Sequence, residues 1–235
     1  MMISDMKQHK QVDFRKVYRK ANEILAVSPA ISDFPFKVKE VVREQSDIVL
    51  CTFEKAKRYQ LDIKHFGSES AVLIAMNGAY IIFYNQAQPK PRIRFSIMHE
   101  FGHYELGHKM NLSKEDLLYG IQEIEANCFA AQMLMPEQLL RVCSQRGKVI
   151  SEEFIVQSFA VSSEAARRRK RTLAGTEYEW HSREEKDFDD IILRRYEAIL
   201  EKIAPQPQEN SYSFEEDYIR EQERNSWMDS RSRWG

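Results

Sequence analysis

His99-Glu100-Phe101-Gly102-His103 is an H-E-x-x-H pentapeptide, with two imidazoles four residues apart and a carboxylate between them. Residues four apart on a helix project from one face, so both rings can bind one cation while Glu100 points toward the open coordination position. A zinc ion held in this way lowers the pKa of a bound water and polarises a carbonyl, and the glutamate takes the proton of the attacking water. The chemistry indicated is metal-assisted hydrolysis.

Such a site needs a third protein ligand. One arrangement places a Gly at the third and a His at the sixth position after the second His, but here position 106 is Leu and position 109 is Lys. His108 is one residue out of that register, and an imidazole beside helix-end carbonyls is the preferred reading for it. The alternative is a glutamate from a following helix, and QEIEANCFAAQMLMP (122–136) offers Glu123 or Glu125. Glu123 is preferred because Asn127 then lies at i+4 on the same face, where its amide can orient a ligating imidazole. At 100° per residue Glu125 would point roughly 160–200° away from that face. His9, His65 and His181 stand alone and receive no role.

The elements that must position these residues follow from periodicity. Apolar residues at Val12, Val17, Tyr18, Ala21, Ile24 and Leu25 predict an amphipathic helix over 11–27, ending near Ser28-Pro29, and a short helix follows over 36–45. Ile48–Phe53 reads as a strand. AVLIAM-NG-AYIIFYN (71–85) reads as a hairpin, because Asn77-Gly78 supplies the positive φ of a two-residue turn. The H-E-x-x-H lies on a helix over 92–108 that stops near Gly107, and the candidate glutamates on one over 115–134. Pro136 opens another helical segment. Val149–Leu173 reads as two helices joined at Val161-Ser162-Ser163 with a serine as N-cap, and 187–203 as one more helix. The sequence from 205 is polar and poorly patterned, and is expected to be a mobile tail.

Lys and Arg number 35 against 36 Asp and Glu, a formal charge of −1 that argues against a wholly basic nucleic-acid binder or an acidic tail protein. Hydrophobic residues make up 43%, enough for a sizeable core, so disorder throughout is excluded. Cys51, Cys128 and Cys143 are odd in number and far apart, which suggests neither a disulfide framework nor a cysteine zinc site. The N-terminus lacks the apolar core of a secretory signal, and no apolar run is long enough to span a bilayer. A cytoplasmic protein without membrane contact is expected.

R-F-S-I-M-H-E-F-G-H from Arg94, followed by E-x-x-A-N-x-F-A-A-x-x-L-M-P from Glu123 to Pro136, resembles the ImmA/IrrE family of metallopeptidases. The resemblance covers about residues 15–175, with its specific motifs confined to 94–136. It implies one Zn²⁺ held by His99, His103 and Glu123, with Glu100 as catalytic base and no departure at those positions. It also implies an α+β fold. A reduced zincin-like domain with a small antiparallel sheet and an active-site helix is expected over 1–146, a helical, helix-turn-helix-like region over 147–204 and the polar tail over 205–235. Members typically cleave helix-turn-helix repressors or antitoxins encoded beside them in bacteria and mobile elements.

The later helices carry a second charged feature. Arg167–Arg171 places five consecutive positive charges on the second helix of the 149–173 pair, and an acidic stretch follows from Glu177 to Asp190. Five consecutive residues wrap a helix completely, so a solvated or protein-docking helix is favoured over DNA binding through 162–173. The function expected is a zinc endopeptidase acting on a protein substrate, which would add in extended form to the hairpin strand Ala79–Asn85 as a sheet edge. The rival is a binding module that sequesters or activates a transcriptional regulator. A purely ligating site has no need of Glu100. A His₂Glu site also accepts Mn²⁺, Co²⁺ or Ni²⁺.

Overall fold

The computed structural model describes residues 11–58, 60–61, 67–110, 112–173, 182–206 and 221–222. The described residues as far as Pro205 make one compact unit; of the second, Gln206–Gly235, only three residues are described, so the expected tail falls almost entirely outside the described residues. His9, His65 and His181 fall outside them too.

Asp13 accepts from the backbone N–H of Lys16 and starts helix α1, Phe14–Val27, which turns Val17, Ala21, Ile24 and Leu25 into the core. Helix α2 spans Val38–Gln45 and strand β1 Val49–Thr52. The strand stops one residue short of the expected Phe53. There Thr52 Oγ1 accepts from Lys55 N, and a short helix α3, Phe53–Arg58, begins.

Strands β2, Ala71–Met76, and β3, Ala79–Tyr84, form the expected hairpin, with Asn77 and Gly78 at φ 51° and 78°. The strand order is β1-β3-β2, with β3 parallel to β1 and antiparallel to β2. Two expectations are corrected here: the sheet is mixed rather than antiparallel, and β3 is its central strand rather than a free edge. The physical reason is burial. Ile82, Phe83 and Tyr84 make β3 the most enclosed strand, Ile82 and Tyr84 facing the main core and Phe83 a smaller cluster with Phe53 and Ala56 of α3. Among the described residues, β2 is the edge strand beside the helix that carries His99 and His103.

Helix α4 spans Lys90–Glu105, α5 Leu117–Leu134 and α6 Glu137–Gln145. Helices α7, Glu152–Phe159, and α8, Ser163–Leu173, match the expected pair, and Ser162 Oγ caps α8 by accepting from Ala165 N. The helix expected over 187–203 is two: α9, Arg183–Arg195, opened by a Ser182–Glu185 capping box, and α10, Glu197–Ile203. The break falls at Tyr196, whose buried hydroxyl donates to Leu25 O at 2.7 Å while its ring meets Phe34 edge-on. One hydrophobic core joins Leu25, Met98, Phe101, Phe129, Phe159 and Tyr196. Among the described residues no helix is long and apolar enough to cross a membrane.

Candidate metal centre

The site depends on how closely α4 and α5 approach. Gly102 is the contact point: a Cβ there would lie 2.9 Å from Phe129 Cδ1 of α5. With no side chain at Gly102, α5 lies close enough for Glu123 to reach both imidazoles. His99 and His103 Nε2 are 3.1 Å apart, and Glu123 oxygens lie 3.5 and 3.4 Å from them. Tetrahedral bonds of about 2.0–2.1 Å have edges of roughly 3.3–3.4 Å, so this donor triangle fits one Zn²⁺ in size and chemistry. Among the described residues it is the group of three His, Cys, Asp or Glu side chains that could hold an ion. Glu100, next along α4, has its carboxylate fixed by the Leu73 N–H of β2 at 2.8 Å.

Around the triangle stands a second layer. Asn127 Nδ2 donates to Glu123 O at 2.7 Å, and its side chain lies near enough to the His99 imidazole to favour the charged ring. Glu125 points elsewhere, accepting from Asp13 N at 2.8 Å and pairing with His108 Nε2 at 2.9 Å. His108 is not at the helix-end carbonyls through its ring, as expected from sequence; its Nδ1 lies 2.9 Å from His103 Nδ1. The reason is the helix stop. Gly107, at φ 66°, lets Gly107 N bond Tyr104 O and His108 N bond His103 O, a Schellman closure that folds residue 108 back over residue 103. Were His103 to hold an ion through Nε2, its proton would sit on Nδ1 and donate to His108 Nδ1, and His108 Nε2–H would donate to Glu125. Only the Gly107 stop signalled this arrangement in the sequence.

The sequence profile of the IrrE N-terminal-like domain, Peptidase_M78, matches residues 43–171. The chain belongs to this family. No curated protein matches it in sequence. Membership makes the chain metallopeptidase-like, and the matched span contains α4, α5 and every residue of the triangle.

For a peptidase of this family the electrostatics are informative. Burial pushes the Glu100 carboxyl above its ordinary value against the pull of His99 and His103. Hydrogen bonds from His103 and His99 hold Glu123 well below the usual carboxylate range, so it is an anion ready to ligate. For His99 burial opposes protonation, but the Glu123 hydrogen bond, the Glu100 charge and Asn127 outweigh it and raise the imidazole. Burial and the neighbouring His103 and Lys16 push His108 down to about 3, in keeping with a neutral ring. Tyr119, to which the sequence assigned no role, lies near Glu123, and burial together with that carboxylate's charge raises its phenol. These groups open into a cleft of about 1760 Å³ walled by β2, α4, α5 and α8.

Proposed function

We propose that this chain is a zinc-dependent endopeptidase that cleaves a helix-turn-helix repressor or antitoxin encoded nearby, with His99, His103 and Glu123 holding one Zn²⁺. The observation that carries this reading is the donor triangle with edges of 3.1–3.5 Å and, beside it, a half-buried Glu100 held by the Leu73 N–H. When bound, the ion supplies Lewis acidity, acidifying a water and polarising the scissile carbonyl. Glu100 is the base: burial raises its basicity, which suits it to take a proton from water and pass it to the leaving amine. Tyr119, one helical turn before Glu123 on α5, borders the cleft. His108 and Glu125 hold His103 in its ligating tautomer, and Asn127 steadies His99.

Substrate adds along β2. Leu73 pairs with Ile82, yet its N–H goes to Glu100, so this pair is one whose main-chain groups face away from β3. Ala71 and Ala75 share that phase, and their N–H and C=O groups are available to an extended chain lying in the cleft. Such pairing demands a locally unfolded substrate segment, as between the domains of a repressor. The test is co-expression with the neighbouring regulator, scored for fragments, alongside metal analysis. Glu100→Gln is expected to keep the metal and abolish cleavage; proteolysis retained by that variant would overturn the assignment of the base.

A further inference from the structure

The cleft extends beyond the metal centre. Its α5 wall runs from Tyr119 to Ala131, about 18 Å of helix, and continues onto α8. From Glu123 to Ala131 is ~12 Å, about four residues of extended peptide. Buried Arg169 and the metal centre apart, the described charged residues lining the cleft are the exposed cations Arg92, Lys109, Lys114, Arg168 and Arg171 against one carboxylate, Glu164. A chain with an overall charge of −1 thus concentrates positive charge in the cleft leading to its hydrolytic centre. Low-dielectric walls focus such a field.

The α8 end of this cleft is built for exchange. Arg168 Nε lies 2.8 Å from Glu164 Oε1, but the two side chains are 69% and 57% exposed. A pair so exposed holds together weakly, so an incoming carboxylate can compete for the guanidinium. Arg171, three residues on, is exposed on the same cleft wall. A nucleic acid suits this helix less well. Arg169 is buried, and Arg167 is paired with Glu152 and Glu164, so the basic run has no continuous face for a duplex.

We infer that Arg168 and Arg171 form a subsite for acidic side chains of the polypeptide substrate, about three to five residues from the scissile bond. The inference rests on the peptidase reading above. It selects substrates whose extended segment carries Asp or Glu at that distance, with guanidinium forks suited to bidentate carboxylate recognition.

The test uses full-length, zinc-loaded Glu100→Gln protein and a fluorescent peptide bearing a short run of Glu, against the same peptide with Gln. Fluorescence anisotropy is expected to show the Glu peptide binding about tenfold tighter at low salt, with the advantage shrinking as salt rises. The double variant Arg168→Glu/Arg171→Glu in the same background is expected to abolish or reverse that preference. Both positions are exposed, and the salt series without these two substitutions decides between the outcomes even if the double variant folds poorly. Equal binding of the two peptides overturns the subsite, as does duplex DNA displacing the Glu peptide through Arg168 and Arg171. Cleavage of a mixed peptide library by the wild-type enzyme is scored separately. Its absence would count against the peptidase reading, whereas cleavage without acidic preference would count against the subsite alone.

Discussion

Helices α4 and α8 each carry a dense run of residues with chemical potential, H-E-F-G-H in one and R-R-R-K-R in the other, and the fold uses them in opposite ways. In α4 the spacing of four brings His99 and His103 to one face, where Glu123 of α5 meets both. In α8 consecutive positions scatter round the helix. Arg169 goes inward, Arg168 and Arg171 toward the cleft, and Arg167 toward Glu152 and Glu164. Spacing, more than density, decides whether like residues converge on one task.

Breaking the α4 convergence has the largest expected effect. Glu123→Ala removes one of the three proposed ligands, and metal affinity, measured by competition with a chelator, is expected to fall more than about 100-fold, beyond the loss usual for a group that only orients a ligand. Arg167→Ala, in the scattered run, is expected to leave metal binding unchanged. A comparable loss from both variants would erase the contrast.

Arg169 sharpens the other half. Its guanidinium is buried, with Nε donating to Met135 O at 2.9 Å, Nη1 to Tyr18 OH at 3.0 Å, and Nη2 to Gln132 Oε1. Gln132 in turn donates to Asn22 and Gln138, and Gln138 to Asp189, so one arginine of the basic run anchors a polar network joining five helices. Arg169→Leu is expected to cost about 3–5 kcal/mol in denaturant unfolding, because buried acceptors lose their donor. Arg167→Ala, at an exposed pair, is expected to stay within about 0.5 kcal/mol. Similar costs at both positions would mean that burial does not set their roles.

Gly102→Ala tests whether the two-helix approach is what lets the α4 spacing work. The new methyl would press on Phe129, a fully buried ring, at a cost of roughly 1–3 kcal/mol for overpacking. Spreading α4 from α5 also withdraws Glu123 from the imidazoles, so the loss in metal affinity is expected to accompany the loss in stability. A variant destabilised with metal affinity intact would detach the close packing from the site.

Local regularity made most of the site legible in the sequence. His99, His103 and Glu100 follow from the H-E-x-x-H pattern on one helix, and the 100° step turns Glu123 and Glu125 in different directions, Glu123 toward the two imidazoles and Glu125 toward His108. The start of α3 at Thr52 and of α9 at Ser182 rest on capping contacts of types visible in sequence, though neither start was expected. What was hidden is non-local. The central position of β3 depends on a parallel pairing with β1 thirty-two residues away in register, Val49 to Ile81, and no local pattern encodes it. The break at Tyr196 comes from its contacts with Leu25 and Phe34, far back in the chain. His108 stood between these cases, since Gly107 announced the reversal but only the folded α1 and α5 supply Glu125 and the Asp13 N–H that complete the chain of hydrogen bonds.

That chain of hydrogen bonds gives the smallest predicted effect. With its side chain only 3% exposed, His108 titrates at about 3, well below the ordinary histidine value of about 6.5. Between those values an unfolded chain holds a proton on His108 that the folded chain refuses, so the stability this residue contributes falls as the pH drops. The slope is at most about 1.4 kcal/mol per pH unit, and it belongs to the window below 6.5. Glu123, depressed in the folded state, contributes stability lost only on acidification below the ordinary carboxylate range, whereas His99, raised, contributes stability lost only above the ordinary histidine value. Glu100, raised, acts in the opposite sense, gaining stability as pH falls, but it does so in wild type and variant alike. Metal-free wild type and His108→Gln, compared by urea unfolding at about pH 6.5 and 5, therefore isolate His108. The wild type is expected to lose more stability on acidification than the variant, by up to about 2 kcal/mol over those roughly 1.5 pH units. Parallel losses would mean that His108 is not held neutral, and that the order reaching from Glu125 to His103 stops short of the imidazole it was taken to fix.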